Sequence, residues 1–157
     1  MLVDGERTLT CVRAVSEFVG RDITTIDPNA TLDEAIAVLA RHRIGALVVL
    51  GPERRVIGIL SERDIVREAA RNEQCFGRTV GDLMTRDVIT GQPHDDLATV
   101  ASTLTEKRIR HLPIVEGGRL VGIVSIGDVV KAQRDHYQGE VDTLQAQLLT
   151  DPPGRKS

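Results

Sequence analysis

Shifting this chain by 65 positions lays its first half over its second. VSEFVGRDITT from Val15 falls on VGDLMTRDVIT from Val80, and Asp22, Thr25, Pro28, Leu32 and Leu39 meet Asp87, Thr90, Pro93, Leu97 and Leu104. Arg43-Ile44 meets Arg108-Ile109. After the turns GPERR and EGGR the offset becomes 64, and VIGILSERDIV from Val56 lies on LVGIVSIGDVV from Leu120. One residue has been lost between two strands, where a change of length is tolerated best. A duplication of this extent obliges both halves to fold alike, and two small units sharing a core fit a chain of 157 residues.

Each half has the same layout. Short apolar runs at Val15–Val19 and Val80–Met84 read as a helical prelude, followed by a brief strand near ITTI or VIT. Leu32, Ala35, Ile36 and Leu39 recur at i, i+3, i+4 and i+7, the apolar face of a helix; Leu97, Val100, Ala101 and Leu104 repeat it. Thr31-x-x-Glu34 is a capping box for the first of these helices. A strand pair then joins Ala46–Leu50 to Val56–Leu60, and Leu112–Val115 to Leu120–Val124, and a second helix starts at Ser61 or Ser125. The order is β-α-β-β-α, twice. A three-stranded sheet with helices on one side cannot cover itself, so two copies packed sheet to sheet about a pseudo-two-fold axis are expected.

The repeats are placed at 15–75 and 80–132. Beyond them Tyr137, Val141, Leu144 and Leu148, spaced 4, 3 and 4, predict a C-terminal amphipathic helix over 133–149. Its stripe packs either on its own domain or in a seam with a second subunit. The polar segment 150–157 is expected to be a flexible tail.

Composition excludes several classes. A net charge of −3 gives no footprint for nucleic acid, and three aromatics (Phe18, Phe76, Tyr137) are too few to stack a strand of bases. A bound nucleobase must therefore sit between aliphatic side chains. No apolar run approaches the ~18–20 residues that span a bilayer. The N-terminus has no long apolar region of a secretion signal, so a cytoplasmic location without membrane partner is expected. Cys11 and Cys75 fit no metal or redox spacing, and the four histidines form no ligand pair. No nucleophile with its base, paired catalytic carboxylates or metal cluster is visible, so the chain is read as not an enzyme and without a catalytic cofactor.

The Ser-x-x-Asp device has two readings. Ser61 and Ser125 stand at N-cap positions with Asp64 and Asp128 at N3, a helix start and nothing more. Yet Gly58 and Gly122 lie within strands, where glycine marks close approach of a ligand or of another backbone. A helix tip offers N–H groups to phosphate, and an Asp at its rim accepts from the cis-diol of a ribose. Ribose beside phosphate describes a nucleotide.

IGILSERDIV and VGIVSIGDVV, preceded by RIGALVV and RIRHLPIV, resemble a tandem pair of cystathionine-β-synthase (CBS) domains, the Bateman module. The resemblance spans roughly Val15 to Ala132. It implies an α+β fold and a stand-alone regulatory sensor binding adenine nucleotide (AMP first, then ADP or ATP) in clefts between the repeats. Two other readings stay open: an NAD(H)-binding redox sensor with one dinucleotide spanning the cleft, and a ligand-free dimerisation module. Carried over by position, site 1 comprises Thr24, Thr25, Ile26, Ile44, Gly45, Ala46, Leu47, Ser61, Arg63 and Asp64. Site 2 comprises Ile89, Thr90, Gly91, Ile109, Arg110, His111, Leu112, Pro113, Ser125 and Asp128. Asp64 and Asp128 would hold ribose hydroxyls. The copies differ: Arg63 faces Gly127, and Gly45-Ala46 face Arg110-His111, so phosphate affinity is unequal. In one shared cleft, Arg63, Arg110 and His111 would converge on the same anion. The resemblance also implies a homodimer and a separate effector protein.

Overall fold

The computed structural model describes residues 15–20 and 22–150. The N-terminal segment read for targeting, Cys11 and the tail from 151 on lie outside the described residues. After a 3-10 turn at Val15–Phe18 come β1 (Thr25–Ile26), α1 (Leu32–His42), β2 (Ala46–Leu50), β3 (Val56–Ser61) and α2 (Glu62–Arg71). The second half follows with α3 (Val80–Leu83), α4 (Leu97–Glu106), β4 (His111–Glu116), β5 (Arg119–Ser125) and α5 (Ile126–Thr150). The fold is α+β, two repeats of strands and helices ending in a long C-terminal helix.

Local chemistry explains the elements. The Thr31 hydroxyl accepts from the Glu34 N–H at 3.3 Å and the Glu34 carboxylate accepts from the Thr31 N–H at 3.1 Å, which closes the box that starts α1. Leu32, Ala35 and Leu39 then face the core, as Leu97, Val100 and Leu104 do on α4. β2 pairs antiparallel with β3, Val48 opposite Ile59, and β4 with β5, Leu112 opposite Val124.

One expected strand is missing. β1 pairs in parallel with β2 through Thr25–Val48 and Ile26–Val49, whereas the VIT segment forms only the single bridge Gly91–Ile114. Pro113 stands where the first half has Val48. A second rung, Thr90 with Pro113, needs an N–H on residue 113, and proline has none. The bridge survives because it uses the Pro113 carbonyl, 2.9 Å from the Gly91 N–H, and the Val115 N–H, 2.9 Å from the Gly91 carbonyl.

The preludes cross over. Val15 and Phe18, which begin the first half, are buried with Leu97, Leu104, Leu112, Ile114 and Val124 in the second core. Val80 and Met84, which begin the second, are buried with Leu32, Leu47, Leu60 and Ile65 in the first. Main-chain bonds fasten both crossings: Gly20 N–H to the Val121 carbonyl at 3.1 Å, and Ile59 with Thr85 reciprocally at 3.0 and 2.9 Å. The strand glycines are explained here. A Cβ on Gly122 would lie 2.8 Å from the Phe18 carbonyl oxygen, and one on Gly58 would collide with the Met84 sulfur. They admit the crossing segments: of the two alternatives, ligand or backbone, Gly122 meets the second, and Gly58 makes room for a side chain rather than a ligand. The hairpin turns meet as well, with Arg119 Nε donating to the Glu53 carbonyl at 3.0 Å.

The expected C-terminal helix is the latter part of α5, which runs unbroken from the repeat and takes in Thr150. Only Val129 and Ala132 of α5 are buried. Tyr137, Val141, Leu144 and Leu148 are all exposed, so their own domain does not cover the stripe.

Candidate functional site

Each hairpin delivers a serine to the start of a helix. The Ser61 hydroxyl accepts from the Asp64 N–H at 3.2 Å and donates to Asp64 Oδ2 at 2.8 Å, while the Ser61 N–H donates to that same oxygen at 3.0 Å. Ser125 and Asp128 repeat the pattern at 3.1, 2.9 and 2.9 Å. Both are capping boxes, stabilising each helix by about 1 kcal/mol. The box occupies Oδ2 alone. Oδ1 of each carboxylate takes no part in it, so capping and acceptance from a diol are compatible.

The helix tips offer less to phosphate than the sequence suggests. Glu62 N–H donates to the Gly45 carbonyl at 2.9 Å and Ile126 N–H to the Arg110 carbonyl at 2.8 Å. With Asp64 and Asp128 N–H held by serines, two of the first three donors at each tip are already used. Anion binding here must rest chiefly on side chains.

A cleft of about 530 Å³ lies between the halves, within the range of small-molecule sites. From the first half it draws Gly45, Ala46, Ser61, Arg63 and Asp64; from the second, Ile89, Ile109, Arg110, His111 and Ser125. Ser61 and Asp64 therefore meet walls from the opposite repeat, not Thr24–Ile26 of their own. Arg63, Arg110 and His111 do line one volume. The other expected residues lie elsewhere. Ile26 and Leu47 are buried in the first core with Ile44 packed against it, and Leu112 is buried in the second. Gly91 sits against Ile114 and Leu112, and Pro113 lies in β4. Thr24, Thr25, Thr90 and Asp128 do not line the cleft either.

Sequence reasoning passed over several lining residues. Ile59, Val88 and Ile126 add aliphatic wall, Glu62, Thr85, Asp87 and Gly127 add rim, and Arg67 and Arg108 add charge. Two had a signal: Arg67 is one turn past Arg63 on the same helix face, and Ile59 shares a strand face with Ser61. Arg108 had none in spacing. The lining suits an aliphatic sandwich for a flat base beside a cationic rim.

His111 is half-buried in the cleft lining, opposite Ser125 in the β4–β5 pair. Burial, the larger influence, holds its pKa below the ordinary histidine value, with Asp128 opposing, Arg110 assisting and Glu62 opposing. Burial thus favours the neutral ring, which can both donate and accept.

Comparison with known proteins agrees with this architecture. The family model described as CBS domain matches residues 15–71 and 80–135. An uncharacterized protein of Methanocaldococcus jannaschii is 34% identical over 117 residues, 74% of this chain but 41% of the relative. The CBS domain-containing protein YhcV of Bacillus subtilis is 31% identical over 121 residues, 76% of this chain and 85% of its own. The chain thus spans from under half to most of the length of the curated relatives it matches. A crystal structure of a CBS-domain containing protein from Agrobacterium tumefaciens superposes with TM-score 0.69 at 40% identity, covering 73% of this chain and 86% of that one. Two further neighbours carry ligands. The CBS domain pair of protein MJ0100, in complex with 5-methylthioadenosine and S-adenosyl-L-methionine, has TM-score 0.69 at 26% identity, covering 76% and 94%. CBSX2 of Arabidopsis thaliana, in complex with AMP, has TM-score 0.69 at 26% identity, covering 78% and 96%.

Proposed function

The chain belongs to the CBS domain family, and on that premise we propose that it is a regulatory module without a reaction of its own, holding an adenine nucleotide between its repeats. One observation carries this reading: Ser61, Arg63 and Asp64 face Ile89, Ile109, Arg110 and His111 across a single cleft. A base lies against the aliphatic wall, Asp64 Oδ1 accepts from the ribose diol, and the phosphate meets the arginines. The adenosine ligands of MJ0100 and the AMP of CBSX2 support the ligand class. AMP is the first compound to test. Binding reports on the relative arrangement of the repeats, since a ligand touching both shifts whichever arrangement it fits better.

The proposal includes a homodimer that signals to an effector protein in the cytoplasm. Its seam is α5, whose last 18 residues (133–150) contain no buried side chain. Helices in proteins draw most of their stability from packing an apolar face, and the exposed stripe Tyr137, Val141, Leu144 and Leu148 gives a second copy's helix a matching face.

The test is a thermal-shift and calorimetric panel of AMP, ADP, ATP, S-adenosylmethionine, NAD+ and NADH on the full chain. A true ligand at a hundred times its Kd adds ~2.7 kcal/mol of stability. A response to NAD+ or NADH alone selects the redox-sensor reading. No response to any of them leaves dimerisation as the function.

A further inference from the structure

The second repeat ends at residue 135, yet α5 runs on to Thr150. Along it the exposed apolar residues Val130, Tyr137, Val141, Leu144 and Leu148 fall on the a and d positions of one heptad frame, interrupted at Arg134. From Tyr137 to Leu148 the spacing of 4, 3 and 4 reads the same in both directions about a point between Asp142 and Thr143. Two copies of this stripe fit together in two ways. In a parallel pair each residue meets its own mate. In an antiparallel pair Tyr137 lies opposite the partner's Leu148, and Val141 opposite the partner's Leu144.

Charge separates the two arrangements. Lys131 and Arg134 precede Tyr137, together with Asp135 and His136, and no lysine or arginine follows through Thr150. Past Tyr137 the charged residues of α5 are Glu140 and Asp142. A parallel pair sets Arg134 against the partner's Arg134 at a seam position, where like charges repel. An antiparallel pair removes that contact. It carries Arg134 to the last turn of the partner's helix, whose free carbonyls have no basic residue of their own beside them. Arg134 takes part in no ion pair among the described residues, so its charge is available there.

We propose that α5 pairs with the α5 of a second copy in antiparallel register, two-fold about the point between Asp142 and Thr143, each Arg134 closing the C-terminal end of the partner's helix. This rests on the dimer reading and goes beyond it by fixing the direction, the register and the part of Arg134. Residues 133–150 rise about 27 Å along the helix, so the repeats of the two copies stand at opposite ends of the seam.

The experiment is disulfide trapping on the full chain in a Cys11→Ser background, with Tyr137→Cys and Leu148→Cys chains oxidised singly and mixed. Both positions are exposed, so the substitutions leave the fold intact, and Cys75 is buried away from the reaction. The mixed chains are expected to cross-link. Each single variant is expected to stay free, because residue 137 lies about 17 Å along the axis from its own mate, beyond the reach of a disulfide. Sedimentation of Arg134→Gln should show self-association weakened about threefold to thirtyfold, two symmetric contacts with a helix terminus being lost. Single variants that cross-link with themselves while no mixed product forms indicate the parallel pair and overturn the proposal, leaving the dimer on α5. An R134Q dimer as tight as wild type, or tighter, overturns the part given to Arg134. A wild-type monomer, or a dimer that Leu144→Asp with Leu148→Asp leaves intact, overturns the proposal and the α5 seam together.

Discussion

The two halves share a plan but have diverged in what they hold. The first ends α2 at Arg71, carries Arg63 at its helix tip, and contributes Asp64 to the cleft. The second continues its last helix to Thr150, has Gly127 in place of Arg63, and keeps Asp128 out of the cleft. It places Arg110 and His111 opposite the Gly45-Ala46 of the first. The capping boxes stayed nearly identical in geometry while the groups around them changed. Duplication supplied two helix starts; divergence left the carboxylate of one in the cleft and set the other half's Arg110 and His111 in the facing wall.

The comparison is most severely tested at the strand glycines. Gly122→Ala pushes a Cβ into the Phe18 main chain and should cost about 3 kcal/mol in urea denaturation. Gly58→Ala meets the buried Met84 side chain from its sulfur back to its Cβ, a side chain rather than a backbone, and should cost about 2 kcal/mol. Equal losses would mean that the two crossings are interchangeable. The next largest effect is in assembly. Leu144→Asp with Leu148→Asp should weaken self-association by about 2 kcal/mol or more in analytical ultracentrifugation. Val66→Asp, on the exposed face of the shorter α2, should leave it intact.

The carboxylates sharpen the contrast further. Asp64→Asn keeps an acceptor for the cap while losing the charge offered to the diol, and should weaken nucleotide binding about tenfold. Asp128→Asn should leave affinity within twofold, both read by calorimetry. Equal weakening would place a second ligand on the other carboxylate. Smallest is the pH response of His111. Its folded pKa is held below the ordinary value, so its contribution to stability is complete above about pH 6.5 and is lost as pH falls through the folded value. His111→Ala, which copies Ala46 of the first half, should flatten the melting-temperature profile below pH 6.5.

Much of this was legible in residues. Self-overlay gave the repeat, helical periodicity gave the faces of α1 and α4, and the spacing of Ser61 and Asp64 gave the caps. The convergence of Arg63, Arg110 and His111 followed from weighing differences between the copies. What stayed hidden has a common cause. Periodicity says that Val15–Val19 and Val80–Met84 bury a face, not which core receives it. The crossing therefore went unread, and with it the reason for Gly58 and Gly122. It also hid the mixing of Asp64 with the opposite repeat's walls. The missing rung at Thr90 was readable from Pro113 alone, had its N–H been asked for.

The crossed preludes bear on what part of this molecule is heritable as a unit. A chain of residues 22–75 carries Leu47 and Leu60 but lacks the Val80 and Met84 that complete their core, and its counterpart lacks Val15 and Phe18 in the same way. Trading one repeat for a distant cousin without its neighbour's plug leaves a core open, so the physical unit of exchange is the pair.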